Sequence, residues 1–150
     1  MISFPNAKIN IGLLITGKRS DGYHSIESIF YPVKITDVLE IGKFENNDPT
    51  FNFLGDKIEG DIDSNLIAKA YKIIREFEIN QKGTESEKTK NLKFYLHKNI
   101  PTGAGLGGGS ADGSFALKMI NQILSLELSL EILENMASKL GSDCTFFIKN

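Results

Sequence analysis

Cysteine, long apolar runs and clustered positive charge are all scarce in this chain of 150 residues. The single cysteine, Cys144, excludes an internal disulfide and a cysteine-rich zinc site, and it favours a reducing cytoplasm. No apolar stretch approaches the roughly 20 residues that a membrane-spanning helix needs, and the first residues lack the pattern of a signal peptide. The net charge is −2 and no basic run exceeds two residues, so neither nucleic acid nor an anionic membrane is an expected partner.

The composition that remains, 41% hydrophobic and 24% charged, is that of an ordinary globular domain. Apolar periodicity predicts strands at 7–15, 26–33 and 37–41, a helix at 64–78, a strand at 92–97, helices after 110 and at 129–140, and a strand at 144–148. This order predicts an α+β fold in which helices pack on one face of a mixed sheet. A polar segment at 80–91 is expected to be a loop.

Two of these strands carry specific expectations. In the first strand, alternation places one set of apolar side chains towards the core and puts Lys8 and Asn10 on the opposite face. The expected core set is Ala7, Ile9, Ile11, Leu13 and Ile15. The last strand, 144–148, would end the chain on a buried element, and a domain seldom finishes in that way. The chain is therefore expected to be a fragment.

The most informative segment is 101–114, because five of the seven positions from Gly103 to Gly109 are glycine and a helical pattern follows. Glycine allows positive φ and a close approach of backbone N–H groups to an anion. A helix start adds unpaired N–H groups and partial positive charge, so the segment predicts a phosphate-binding loop. It also fits G-x-G-x-x-G, but a dinucleotide site needs a βαβ unit with an acidic residue further on. A Walker loop would need a lysine after Gly109.

Several polar residues are candidates for catalysis, and each has an ordinary structural alternative. Lys8 and Asp143 could form an ion pair that makes both charges tolerable beside buried strands. Alternatively, Lys8 is a solvated charge and Asp143 caps a turn. Asp112 more simply complements the dipole of the helix, and Ser110 could be the N-cap of that helix. Residue spacing alone leaves these choices open.

Residues 101–111 resemble the glycine-rich motif of the GHMP small-molecule kinases. Three further segments are similar to one branch of that family: 7–13 (Ala-Lys-Ile-Asn-Ile-Gly-Leu), 17–24 (Gly-Lys-Arg-Ser-Asp-Gly-Tyr-His) with Glu27 and Ser28, and 140–147 (Leu-Gly-Ser-Asp-Cys-Thr-Phe-Phe). The resemblance spans nearly the whole chain, from Asn6 to Phe147. It implies a kinase that uses ATP and Mg²⁺ to phosphorylate the C2 hydroxyl of 4-diphosphocytidyl-2-C-methyl-D-erythritol, a small-molecule substrate of non-mevalonate isoprenoid synthesis.

The resemblance also implies a role for each site residue. Lys8 and Asp143 would be the catalytic pair, with Asp143 accepting the proton of the substrate hydroxyl and Lys8 stabilising the developing charge. The substrate would be bound by Asn10, Tyr23 and His24. The adenine pocket would be lined by Asn65, Leu66 and Lys98. The ATP phosphates would be held by Pro101, Thr102, Gly103, Ala104, Gly105, Leu106, Gly107, Gly108, Gly109, Ser110 and Ala111. Ser110 would also help to place Mg²⁺.

The implied domain organisation is a GHMP kinase N-terminal, ATP-binding domain at 1–150, with a fold that a ribosomal protein domain shares. A C-terminal domain is expected to be absent from this chain, which puts the activity of the chain alone in question. Cys144 and Thr145 stand where the family more usually has Val-Pro, a change expected to be neutral. The alternatives are another GHMP kinase, a nucleotide-binding fragment without activity, and an RNA-binding domain, which the net charge of −2 disfavours.

Overall fold

A computed structural model describes residues 1–20, 22, 24–44, 49–55, 61–83, 89 and 91–150. Its strands are β1 (Ile2–Ser3), β2 (Asn6–Lys18), β3 (His24–Thr36), β4 (Val38–Lys43), β5 (Thr50–Gly55) and β6 (Leu92–Lys98). Its helices include α1 (Leu66–Lys82), α2 (Gly108–Leu124), α3 (Leu130–Leu140) and α4 (Cys144–Lys149), and a 3₁₀ turn at Ile62–Ser64 precedes α1. Within these described ranges, no helix is both long enough and apolar enough to cross a membrane.

Four strands form a mixed sheet in the order β1-β4-β6-β5, in which β6 runs antiparallel to β4 and parallel to β5. Alternate side chains of β4 and β6 are buried in one core with the helices: Leu39, Ile41, Leu92, Phe94 and Leu96. On β5, Phe51 stacks on Phe94 with ring centroids 4.6 Å apart. His97, on the opposite face of β6, is exposed. The predicted α+β fold with helices on one face of a mixed sheet is therefore confirmed.

The other two strands, β2 and β3, form a long antiparallel hairpin. The prediction that one face of β2 lies in the core is wrong beyond Ala7, which is fully buried. The other four side chains predicted for the core are exposed, by 40%, 51%, 62% and 61% for Ile9, Ile11, Leu13 and Ile15. Alternation shows which side chains share a face of a strand, but it does not show whether another layer covers that face. The register also shifts after Ile11, next to Gly12 at φ 70°, which interrupts the alternation itself.

The predicted strand at 144–148 is wrong, because these residues belong to the helix α4. Cys144, Phe147 and Ile148 are its buried residues, and their spacing of three and four is that of one helical face. An apolar run of five residues is too short for periodicity to separate a strand from a buried helix. The argument that the chain ends on a core strand therefore no longer stands.

The predicted starts of two helices agree with the structure to within one residue. Ser129 is the N-cap of α3, at the predicted start of that helix. The N-cap of α1 is Asn65, whose side-chain oxygen accepts a backbone hydrogen bond at 2.8 Å, so the predicted helix start at 64 is one residue too early. α1 also runs four residues past its predicted end, and the first residues of the predicted 80–91 loop are helical. Half of that segment, at 84–88 and 90, lies outside the described residues.

Candidate functional site

The glycine-rich segment forms the loop that connects β6 to α2. Gly103, Gly105 and Gly107 have φ of 77°, 74° and 72°. Residues other than glycine rarely adopt this left-handed backbone conformation. Gly107 is the N-cap of α2, so Ser110 lies inside the helix and is not its N-cap, contrary to one alternative above. The first turn of α2 leaves backbone N–H groups and partial positive charge at the loop. The loop and the helix start together have the features of an anion-binding site.

Two lysine side chains lie directly against this loop. A Cβ atom placed on Gly107 would lie 3.0 Å from Cγ of Lys8 and 3.1 Å from Cζ of Phe147. A Cβ atom on Gly108 would lie 2.7 Å from Nζ of Lys98. Glycine is therefore needed at both positions for the loop to approach the two lysines, and at Gly107 for the backbone conformation as well.

Lys8 is held at the loop by its backbone and by its side chain. The N–H of Lys8 donates to the carbonyl oxygen of Leu106 at 2.8 Å, which joins β2 to the loop. The side chain is nearly buried, and its Nζ lies 3.1 Å from Oδ2 of Asp143. Nζ also donates to Oδ1 of Asn10 and lies 4.5 Å from the ring centroid of Phe30. The structure thus pairs Lys8 with Asp143 instead of leaving Lys8 as a solvated charge.

Asp143 lies immediately before α4 and is the N-cap residue of that helix by position. Its side chain makes no capping hydrogen bond there, so the alternative that Asp143 is simply a cap is not observed. The Oγ of Ser142 donates to Oδ1 of Asp143 at 3.2 Å, while Oδ2 faces Lys8. The carboxylate side chain is 28% exposed, which leaves it accessible to a ligand.

Lys98, on the other side of the loop, is part of a buried charge cluster. Its Nζ donates to Oδ2 of Asp37 and to Oδ2 of Asp112, the latter at 2.8 Å. Oδ1 of Asp37 accepts two backbone N–H groups, from Asn99 at 2.6 Å and from Ile100 at 2.8 Å. We call Asp37, Lys98 and Asp112 the triad; its three side chains are at most 4% exposed. The triad connects the turn between β3 and β4, the end of β6, and α2.

The two carboxylates of the triad are not equivalent. In the part of the chain that the structure describes, Oδ1 of Asp112 has no hydrogen-bond partner. Burial raises the pKa of Asp112 from an ordinary 3.8 to about 7, an effect that Lys98 opposes and Asp37 reinforces. Asp112 is therefore a member of an ion cluster, and the simpler interpretation as a residue that complements the helix dipole is wrong.

A cavity of about 290 Å³ lies over the loop. Its lining contains Asn65, Leu66, Lys98, Asp112 and the loop from Pro101 to Ser110. The three residues that the family resemblance places at an adenine pocket thus lie in the same cavity as the glycine loop. Two of them already have partners, since the side-chain oxygen of Asn65 caps α1 and the ammonium of Lys98 is bound by two carboxylates.

The predicted substrate residues are not all brought together. Asn10 contacts Lys8 directly, as described above. His24 is exposed at the start of β3, eight residues from Pro32, which pairs with Lys8. At about 3.3 Å per residue this is roughly 26 Å along the strand, so His24 lies at the other end of the hairpin. Tyr23 lies outside the described residues.

The predicted metal residue, Ser110, lies in the first turn of α2, beside the thiol of Cys144. Burial raises the pKa of that thiol. Within the described residues, no group of three or more His, Cys, Asp or Glu side chains could hold a metal ion.

Sequence reasoning missed the partnership of Asp37 and Asp112 with Lys98. The available signals were a carboxylate in an otherwise small and apolar stretch of α2, and another between two apolar strands. Burial of such residues requires a partner. The sequence does not reveal which cation that partner is, because Asp37 and Lys98 are separated by 61 positions.

The family described as "GHMP kinases N terminal domain" matches residues 65–149. The chain is 47% identical over its full length to 4-diphosphocytidyl-2-C-methyl-D-erythritol kinase of Bacteroides fragilis, of which it covers 52%. It is 41% identical to the protein of the same name from Fusobacterium nucleatum, over 98% of this chain and 48% of that protein. The chain thus spans about half the length of the curated relatives that it matches.

Solved structures agree with these sequence matches. A crystal structure of 4-(cytidine 5'-diphospho)-2C-methyl-D-erythritol kinase superposes with a TM-score of 0.73 at 28% identity, over 99% of this chain and 49% of that one. A mevalonate kinase superposes with a TM-score of 0.64 at 16% identity, over 97% of this chain and 47% of that one, which shows a shared fold. The family match over residues 65–149 and the fold agree: the chain belongs to the GHMP kinase family.

Proposed function

We propose that this chain is the ATP-binding N-terminal half of a kinase that phosphorylates the C2 hydroxyl of 4-diphosphocytidyl-2-C-methyl-D-erythritol. The names of relatives at 41% and 47% identity support the reaction. The observation that carries the proposal is the ion pair between Lys8 and Asp143, held against a glycine loop at a helix start. Because the relatives are about twice as long, we propose that a C-terminal domain completes the substrate cleft.

In the proposed reaction, residues 101–111 bind the ATP phosphates through backbone N–H groups and so fix the γ-phosphoryl group. As the C2 hydroxyl oxygen attacks the γ-phosphorus, Asp143 accepts the hydroxyl proton, and the bond from the γ-phosphorus to the β–γ bridging oxygen breaks to release ADP. The Lys8 ammonium stabilises the negative charge that develops in the transition state. The contrast in exposure supports these roles, since the substrate can reach Asp143 while Lys8 stays nearly buried.

Mg²⁺ belongs to the proposal because it neutralises phosphate charge during phosphoryl transfer from ATP. Ser110 is the proposed protein ligand, since it lies in the first turn of α2 next to the loop. Mg²⁺ commonly takes one or two protein ligands and completes its shell with phosphates and water. A single hydroxyl at the loop fits that pattern better than a preformed metal cage would.

The proposed substrate contacts follow the hairpin. Asn10, next to Lys8, contacts the methylerythritol part, while Tyr23 stacks on cytosine and His24 hydrogen-bonds its edge. Asn10 and His24 are far apart along the hairpin, so we assign them to opposite ends of an extended substrate. Asn65, Leu66 and Lys98 line the adenine pocket. The lone cysteine supports a cytoplasmic location.

The test is a coupled assay of ATP consumption with 4-diphosphocytidyl-2-C-methyl-D-erythritol or mevalonate as the acceptor. It uses the chain alone and the chain joined to the C-terminal half of the Bacteroides fragilis relative. We expect the chain alone to bind a β,γ-imido analogue of ATP with little turnover, and the joined protein to phosphorylate only the cytidyl acceptor. Equal turnover of mevalonate would favour another GHMP kinase. Nucleotide binding without transfer in either form would favour a binding module.

A further inference from the structure

α2 presents two polar side chains to α4, on the face where the two helices pack. Ser114 and Lys118 are four residues apart and therefore share one face of α2. The Oγ of Ser114, which is fully buried, lies 2.8 Å from the carbonyl oxygen of Cys144 and 2.7 Å from that of Ser110. Nζ of Lys118 donates to the carbonyl oxygen of Phe147 at 2.9 Å. We call Ser114 and Lys118 the α2 clamp, because both reach from α2 to carbonyl groups of α4.

The clamp stabilises a helix that is very short. α4 has six residues, and a helix of that length is not stable on its own. The last four carbonyl groups of any helix have no partner inside the helix. Lys118 bonds to one of them and puts positive charge at the negative end of α4. Burial lowers the pKa of Lys118, whose ammonium also lies 3.9 Å from the ring centroid of Phe115.

We propose that Ser114 and Lys118 are positioning residues for Asp143. α2 begins at the glycine loop, and α4 begins directly after Asp143. A clamp between the two helices therefore sets the distance between the bound phosphates and the group that accepts the proton. A displacement of about 1 Å can cost roughly 10²-fold in rate. The inference rests on the proposed function, because it requires phosphates at the loop and proton transfer at Asp143.

α4 has a second polar tie that does not involve α2, and this tie supplies a matched control. Nζ of Lys149 lies 2.6 Å from Oε1 of Glu134 on α3, and the Lys149 side chain is 64% exposed. The Glu134 side chain is 24% exposed, so the pair is only partly screened by water, and its loss is expected to cost little stability. Lys149→Met thus removes a lysine contact from the same helix without loosening α4 from α2.

Steady-state kinetics of the joined protein tests the clamp. Lys118→Met and Ser114→Ala are each expected to lower kcat roughly tenfold, with KM for ATP within about twofold of wild type. Lys118→Arg is expected to restore most of kcat, because a guanidinium can still donate to the Phe147 carbonyl. Lys149→Met is expected to leave kcat unchanged. Equal kcat values for Lys118→Met and Lys149→Met would overturn the proposal, and so would a loss that appears only in KM for ATP.

Amide hydrogen exchange of the chain alone gives a second readout that needs no turnover. Lys118→Met is expected to speed exchange in Cys144–Lys149 while leaving α1 and β6 unchanged, because the clamp acts on α4 alone. A uniform increase over all elements would mean global destabilisation and would overturn the clamp. Absence of turnover in the wild-type joined protein would instead contradict the proposed function, and the positioning role with it.

Discussion

The two sides of the glycine loop present the same kind of side chain in opposite settings. Lys8 and Lys98 are each 5% exposed, and each would be touched by a Cβ atom on one glycine of the loop. Lys8 faces one carboxylate, that of Asp143, which is 28% exposed. Lys98 lies between two carboxylates that are 0% and 4% exposed. One lysine thus has an accessible partner, and the other is enclosed with its partners.

This difference agrees with the proposed function, in which one side of the loop is catalytic and the other is structural. A proton acceptor must be reachable by the substrate, and among the described residues beside these two lysines it is the carboxylate at Lys8 that is accessible. Charges as deeply buried as the triad are tolerated only when they are paired. The Lys98 side therefore holds α2 to the sheet beneath the loop. Variants that remove one charge at a time can test whether the two lysines differ in this way.

The largest expected effect is on catalysis at the accessible side. Asp143→Asn in the joined protein is expected to lower kcat by about 10²–10⁴-fold, because it removes the proton acceptor. Only a modest drop in the unfolding midpoint is expected, because the amide oxygen of Asn can still accept a hydrogen bond from the nearly buried Lys8. The matched control is Asp63→Asn, which removes the carboxylate of an exposed ion pair with Lys72. Near wild-type turnover in Asp143→Asn would remove the catalytic assignment.

The next largest effect is on stability at the enclosed side. Lys98→Met leaves two buried carboxylates without their cation and is expected to cost about 3–5 kcal/mol of unfolding free energy. Lys8→Met leaves a carboxylate that water can reach, and about 1 kcal/mol is expected. Urea denaturation followed by circular dichroism measures both variants. Equal losses would show that the two sides do not differ in the way described.

A third prediction concerns the loop itself. Gly107→Ala combines a strained φ of 72° with a Cβ contact at 3.0 Å, and it is expected to weaken binding of the β,γ-imido analogue of ATP at least tenfold. Gly103→Ala is the matched control, because it has a similar φ of 77° with nothing within 4 Å of its Cβ. Calorimetry on the chain alone compares the two. A similar loss in both variants would assign the effect to backbone strain and not to contact with Lys8.

The last prediction concerns an effect that appears only at one end of the pH range. Because the native pKa of Asp112 is about 7 and its ordinary value is 3.8, the native state binds more protons between these values. In the wild type, the contribution of the Asp112 carboxyl group to the free energy of unfolding is therefore fully present below pH 4. It is lost as the pH rises towards 7. Asp112→Asn cannot ionise, so it is expected to be more stable than wild type at pH 8, by on the order of 2 kcal/mol. Near pH 4 the two should unfold alike.

Urea midpoints of both proteins at pH 4, 5.5, 7 and 8 measure this difference. Asp63→Asn, which removes an exposed carboxylate, serves as the control and should show no such trend. A stability difference between Asp112→Asn and wild type that stays constant over the whole range would contradict the raised pKa.

Features of this chain that depend on neighbouring residues could be predicted from its sequence. The alternation of Leu92, Phe94 and Leu96 correctly predicted a buried strand, and the start of α3 near Ser129 was also predicted correctly, because both depend on neighbouring residues. The glycine loop was also local, since positive φ and a following helix start are encoded within a few positions. The pairing of Lys8 with Asp143 could be proposed only as one of two alternatives, because the two residues are far apart in the chain.

Features that depend on residues far apart in the chain could not be predicted from the sequence. The exposure of Ile9 and Leu13 depends on which layers cover the hairpin, and alternation carries no information on that. The triad depends on Asp37 meeting Lys98 across 61 positions. The segment 144–148 has the apolar composition of a strand, and its packing against α2 is what makes it a helix.

The strand order β1-β4-β6-β5 also has a consequence for the time course of folding. β6, at residues 92–98, is the strand that joins β4 to β5, and it leaves the ribosome after both of them. At about 5–20 residues per second, several seconds separate the synthesis of β4 from that of β6. The hairpin of β2 and β3 can form meanwhile, because its strands are neighbours in the chain. The sheet, and with it the loop that follows β6, cannot be completed until β6 emerges, so the hairpin strands are free to pair before the core can form.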